Sequence, residues 1–164
     1  MILLRPLSSS DAAELFPILA SVAESLVVDG PDTEEDLATA LAEREEMAAA
    51  GLVRAFTILE EASGSVMGSI RLKYDLGSGL GEMGVWLGKE FQGRGFGTEA
   101  IGRVVEQGFG ELGLAKIEAQ IFAGNLASRK AFENNGFCLE RTVRNGAMQR
   151  GEFRDVWYLT AFRR

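Results

Sequence analysis

The spacing of apolar residues changes along the chain, and each change marks a new element. "ILLR" (2–5) is a short apolar run that predicts a strand. "SSSD" then places hydroxyls and an acid ahead of a helix over about 11–20. "DGPDTEEDL" reads as a loop leading into a second helix over about 33–50, with Asp32 or Thr33 as cap and acids in its first turn. "GLVRAFTILE" (51–60) and "SVMGSIRLKY" (65–74) flank an "EASG" turn, which predicts an antiparallel hairpin. A "GSGLG" turn precedes another strand, "EMGVWLG" (82–88). Ala100, Ile101, Val104, Val105, Gly108, Phe109 and Leu112 share one face at helical spacing. "GLAKIEAQIFA" alternates as a strand, and "NLASRKAFEN" is a short helix closed by Asn135 and Gly136. "FCLERTV" and "RDVWYLTAF" are the last strands, with "RNGAMQRGE" between them read as a polar loop. The order is β-α-α-β-β-β-α-β-α-β-β, a mixed α/β fold.

A chain of 164 residues is expected to form one domain, residues 1–164. No apolar run approaches the roughly 20 residues of a membrane span, and "MILLRPLSSSDAAELF" lacks the pattern of a secretory signal. The expectation is a cytoplasmic protein with no membrane partner. There is no histidine and only one cysteine, which removes Ser-His-Asp and Cys-His catalysis, an internal disulfide and histidine metal sites, so no metal is expected. Cys138 is expected to be a buried apolar filler. The net charge of -7 argues against nucleic acid as the main ligand. It is uneven: residues 1–60 carry -9 and the remainder +2. That acidic third is either a solvated helix face or a wall that attracts a cationic acceptor.

"FQGRGFGTEA" (91–100) brings glycines to the start of a helix, where unpaired amides and the helix dipole favour an anion. No Gly-Lys-Ser/Thr follows, so an ATPase loop is excluded. Thr98 stands where a dinucleotide fingerprint needs its third glycine, and hairpin strands precede the loop. The pattern that fits is Gln/Arg-x-x-Gly-x-Gly/Ala, at Gln92-Gly93-Arg94-Gly95-Phe96-Gly97.

With that spacing the sequence resembles the GNAT acyltransferases, which bind acetyl-coenzyme A. The resemblance implies a mostly antiparallel sheet of about seven strands with one splayed parallel pair and flanking helices. It also implies that the backbone from Gln92 through Thr98 holds the cofactor pyrophosphate. "NLASRKAFENNGF" resembles the family's second cofactor element: Asn125 matches the asparagine that bonds the pantetheine arm, and Arg129 and Lys130 are candidates for the 3′-phosphate. Val85, Trp86 and Leu87 match the backbone beside the thioester carbonyl. The opening residues, "GEMGVWL" and "FCLERTVRNG…RDVWYL" are similar to the subfamily that acetylates ribosomal-protein N-termini, with the match weakest from about 22 to 50. Relatives are often dimeric, which raises a homodimer.

The implied reaction is attack of a neutral amine on the thioester, with coenzyme A leaving as thiolate. Many GNAT enzymes protonate that sulfur with a tyrosine, and here that position is Phe132. Ser128 matches the serine that the ribosomal-protein subfamily uses instead. The subfamily's glutamate base aligns with Ala147, so Glu82 is the substitute, directly or through water, with Glu152 second. A lysine amine with a pKa of ~10.4 costs roughly 4 kcal/mol to deprotonate near neutral pH, and a peptide α-amine less than about 1 kcal/mol. A site with no evident strong base therefore suits a protein or peptide N-terminus. Small amines such as polyamines, aminoglycosides or amino acids are the alternative acceptors. A coenzyme-A-binding sensor without turnover is a second alternative.

Overall fold

The structure is a computed structural model that describes residues 1–27 and 30–164. Asp29, which opens the predicted acidic loop, lies outside the described residues. One seven-stranded sheet forms the centre, with strands β1 (Ile2–Pro6), β2 (Val53–Glu60), β3 (Val66–Asp75), β4 (Leu80–Leu87), β5 (Lys116–Phe122), β6 (Cys138–Gln149) and β7 (Glu152–Phe162). Their spatial order is β1-β2-β3-β4-β5-β7-β6. Every pairing is antiparallel except β4 with β5. Helices α1 (Ala12–Ser21), α2 (Glu34–Ala49), α3 (Phe96–Glu106) and α4 (Leu126–Glu133) flank the sheet.

Alternation along β4 sorts the two faces. Met83, Val85 and Leu87 join the core under α3 and α4, with Ile101, Val104, Ile117 and Phe132. Trp86 faces the other way, against a second core of Leu15, Leu37, Leu41, Ala55 and Leu59 beneath α1 and α2. The helix starts follow local chemistry. Thr33 caps α2 by accepting the Asp36 N–H at 3.0 Å, ahead of three acids in the first turn. Ser8 and Asp11 form a capping box before α1, and Asp11 also accepts from Arg5 at 2.6 Å and from Thr57 at 2.8 Å.

Two expectations fail at the C-terminal end. The segment 144–152, read as a polar loop, is mostly a continuation of the β6–β7 ladder, with Ala147, Met148 and Gln149 opposite Arg154, Phe153 and Glu152. A shift of register after Val143 absorbs extra residues, with Asn145 at φ 52°, and the turn itself is only Arg150–Gly151. Polar residues persist on both sides because β6 is an edge strand. For the same reason Cys138 is exposed rather than buried.

Candidate active site

β4 and β5 begin as a parallel pair and then part. Their register runs from Leu80 opposite Lys116 to Met83 opposite Ala119 and goes no further. Beyond it, Gly84–Leu87 stay bonded to β3, while Gln120–Phe122 stay bonded to β7. The peptide groups on the facing edges of this gap are therefore left for a ligand.

The glycine loop stands at the wide end of the gap. Gly93 and Gly95 have φ of 73° and 86°, a left-handed backbone that disfavours side chains. A Cβ at either would meet nothing within 4 Å, so the loop is open to an approaching group. Gly95 is the N-cap of α3 and has no side chain to satisfy the first-turn amides. These amides and the helix dipole make an anion cradle. Gln92 Nε2 donates to the Leu87 carbonyl at 2.9 Å and ties the loop to the end of β4.

The opposite wall is α4. Asn125 caps it, its Oδ1 accepting the Ser128 N–H at 3.2 Å. Among the described residues the Asn125 amide nitrogen makes no hydrogen bond. Ser128 sits half-buried in the first turn of α4, where the dipole favours negative charge nearby. Asn135 locks the two helices together, donating to the carbonyls of Thr98 at 3.0 Å and Ala131 at 2.9 Å.

The resulting cleft has a volume of about 450 Å³. Of the residues expected from sequence, Val85, Trp86, Leu87, Gln92, Gly93, Gly95, Gly97, Thr98, Asn125, Ser128 and Lys130 line it. Phe132 also reaches it, while its ring packs edge-on against Phe137 at 5.0 Å. Three expected side chains lie elsewhere. Arg94 pairs with Glu60 at 3.0 Å and covers the Phe96 ring, which is itself core. Arg129 pairs with Glu133 at 3.4 Å and lies over Trp157.

Glu82 and Ser128 are not brought into one cavity. Glu82 is exposed on the α1–α2 face of the sheet, in a separate depression with Lys73, Lys116 and Glu118, just before the strands part. Glu152 is exposed at the β6–β7 turn. Sequence reasoning missed Val22, Ser25 and Leu26, which close the cleft from the segment after α1. That segment is held from far along the chain. Gln149 Nε2 donates to the carbonyls of Ala23 at 2.8 Å and Leu26 at 2.9 Å, and Arg154 donates to the Glu24 carbonyl at 3.0 Å.

The acetyltransferase (GNAT) domain family matches residues 1–138. The chain belongs to the GNAT acetyltransferases. Within that family, this GNAT chain is 29% identical over 115 residues to the uncharacterized N-acetyltransferase p20 of Bacillus licheniformis, covering 70% of this chain and 65% of that protein. It is 33% identical over 102 residues to YdaF of Bacillus subtilis (strain 168), which is provisionally named a ribosomal N-acetyltransferase; the match covers 62% and 56%. The GNAT chain thus matches less than two thirds of the length of either relative. Among solved structures, an acetyltransferase at 26% identity superposes with a TM-score of 0.88, covering 98% of this chain and 92% of that one. Two further structures share the fold at lower identity. One is RimL, a ribosomal L7/L12 α-N-protein acetyltransferase in complex with coenzyme A (17%, TM-score 0.89, 99% and 94% covered). The other is the spermidine N-acetyltransferase of Vibrio cholerae with CoA and spermine (18%, 0.85, 99% and 95% covered).

Proposed function

We propose that this chain transfers an acetyl group from acetyl-CoA to a primary amine, with the N-terminal α-amine of a protein or peptide as acceptor. The observation that carries the reading is the parting of β4 and β5 after Met83 and Ala119, with the Gly93–Gly95 anion cradle at one end of the gap and Ser128 on its wall. The loop amides would hold the pyrophosphate, and Lys130 the 3′-phosphate. The Asn125 amide would bond the pantetheine arm, and the free backbone of Val85–Leu87 the carbonyl. Ser128 would donate a hydrogen bond to the departing thiolate, which a hydroxyl beside a helix N-terminus can do without giving up its proton. Glu82 stands on the other face of the sheet, so it would take the amine proton through water.

The α-amine is favoured because it needs little help to deprotonate. The names of YdaF and RimL agree with it. The spermidine enzyme shares the fold equally well, and polyamines are the second reading. The test is release of CoA thiol from acetyl-CoA against peptides, polyamines, aminoglycosides and amino acids. Turnover with peptides and mass-spectrometric acetylation of their α-amine is the expected result. Turnover with polyamines alone would replace the acceptor. Binding of acetyl-CoA without turnover on any amine would leave a coenzyme-A sensor.

A further inference from the structure

Most half-buried arginines of this chain have an evident partner. Arg54 holds Glu111, Arg103 holds Glu99, Arg129 holds Glu133, and Arg154 holds the Glu24 carbonyl. Arg44 and Arg71 are also half-buried, yet among the described residues neither makes a hydrogen bond or ion pair. They occupy one place. Arg44 continues the inward stripe of α2 after Leu37 and Leu41, which pack in one core with Ala55 of β2. Arg71 stands opposite Ala55 on β3, on the sheet face that α2 covers. Burial, and then the charge of Arg71, push the Arg44 guanidinium below its ordinary pKa.

The position of Arg71 gives the pair its meaning. Its guanidinium lies beside Gly84, where a Cβ would meet Nη1 at 2.9 Å and Cζ at 3.3 Å. Gly84 is opposite Arg71 and is the first β4 residue beyond the last pair with β5. It precedes Val85, which lines the cleft. The missing side chain at Gly84 is thus what lets the Arg71 guanidinium lie beside the residue at which β4 and β5 part. The acids of α2 do not answer it: Glu34, Glu35, Asp36, Glu43 and Glu46 are exposed to solvent, and Glu45 accepts from the Ser9 backbone. Glu82, two residues before Gly84, forms no ion pair with either arginine.

We infer that Arg44 and Arg71 form a carboxylate-binding subsite for the acceptor, so that the preferred amine carries an acidic group close to the nitrogen that is acetylated. The inference rests on the acetyl-transfer reading above and adds the acceptor's charge. A guanidinium pair of this kind grips a carboxylate through paired N–H donors, and its attraction is strengthened by partial burial. The carboxylate has two sources: an acidic side chain at the second position of a peptide, or the α-carboxylate of a free amino acid.

The experiment measures KM and kcat for two sets of acceptors. The first set is one peptide with Glu, Gln or Lys at its second position; the second is a free amino acid and its amide. The expected result is a KM at least about tenfold lower for the acidic member of one set, the equivalent of one charge-assisted hydrogen bond. The set that shows it names the source. Arg71→Gln and Arg44→Gln should each shrink the difference, Arg71→Lys should keep part of it, and Arg71→Glu should turn the peptide preference toward Lys. Equal KM values across both sets, or a preference that survives in Arg71→Gln, overturns the subsite while leaving acetyl transfer intact. Absence of thiol release with every acceptor overturns both.

Discussion

The side-chain oxygen of Asn125 accepts the backbone N–H of Ser128 at 3.2 Å. One residue thereby starts α4 and fixes the serine that faces the gap, and under the proposed function its amide nitrogen serves the pantetheine arm. The two roles separate by mutation. Asn125→Ala loses the cap, at about 1 kcal/mol, together with the ligand contact. Asn125→Asp keeps an acceptor for the cap, loses the donor and adds a negative charge to the cleft, so it should melt near wild type and bind CoA at least about tenfold more weakly. Calorimetry beside thermal denaturation decides; normal CoA affinity in Asn125→Asp would remove the pantetheine role.

If Ser128 serves the departing thiolate as proposed, Ser128→Ala removes one hydrogen bond to it. Bonds to charged groups are worth about 1.5–3 kcal/mol, so kcat should fall by roughly 10–100-fold while the CoA dissociation constant changes little. Steady-state kinetics and calorimetry on the same preparation test this. An unchanged kcat takes Ser128 out of the mechanism.

The two glycines at the start of α3 should differ. Gly95 has φ of 86°, where alanine costs about 1–2 kcal/mol. Gly97 is inside the helix, and a methyl there would rest 3.6 Å from Leu87, an ordinary contact. Gly95→Ala should lower both the melting temperature and CoA affinity. Gly97→Ala should fold at least as stably as wild type, because alanine is the better helix former. Equal losses in both variants would contradict the backbone argument.

Gln149 is buried and satisfies two carbonyls of the 23–26 segment. Gln149→Leu strands both, at about 1–3 kcal/mol, and frees one wall of the cleft. KM for the acceptor should rise several-fold more than the CoA dissociation constant. Equal effects on both ligands would mean that this wall serves the cofactor.

If Glu82 takes the amine proton, it must be ionised to act. Glu82→Gln should then lower the rate and change the shape of the pH profile, leaving the dependence set by the amine. An identical pH profile in the variant assigns the proton to bulk water.

Much of the architecture is legible in the sequence because period and turn chemistry agree locally. The spacing from Ala100 to Val104, the Thr33 cap and the glycines at 93–97 each announce their own element. The residues from Arg144 to Gln149 carry no such signal. Their pairing partners are Glu152, Phe153 and Arg154, and an edge strand with two wet faces has the composition of a loop. The candidate site divides the same way. The cleft wall made by the glycine loop and α4 is local in sequence. The wall from residues 22–26 is held by Gln149 and Arg154, and the Arg44–Arg71 pair joins α2 to β3; only folding brings these together.

The gap itself is made by competition between strands. Gln120–Phe122 of β5 stay away from Gly84–Leu87 of β4 because β7 has already claimed them. β7 contributes no residue to the lining of the cleft and follows the glycine loop, Asn125 and Ser128 in the chain. The walls of the gap and the strand that keeps them apart are therefore separate stretches of sequence. The width of the site is set by a strand that touches nothing bound within it.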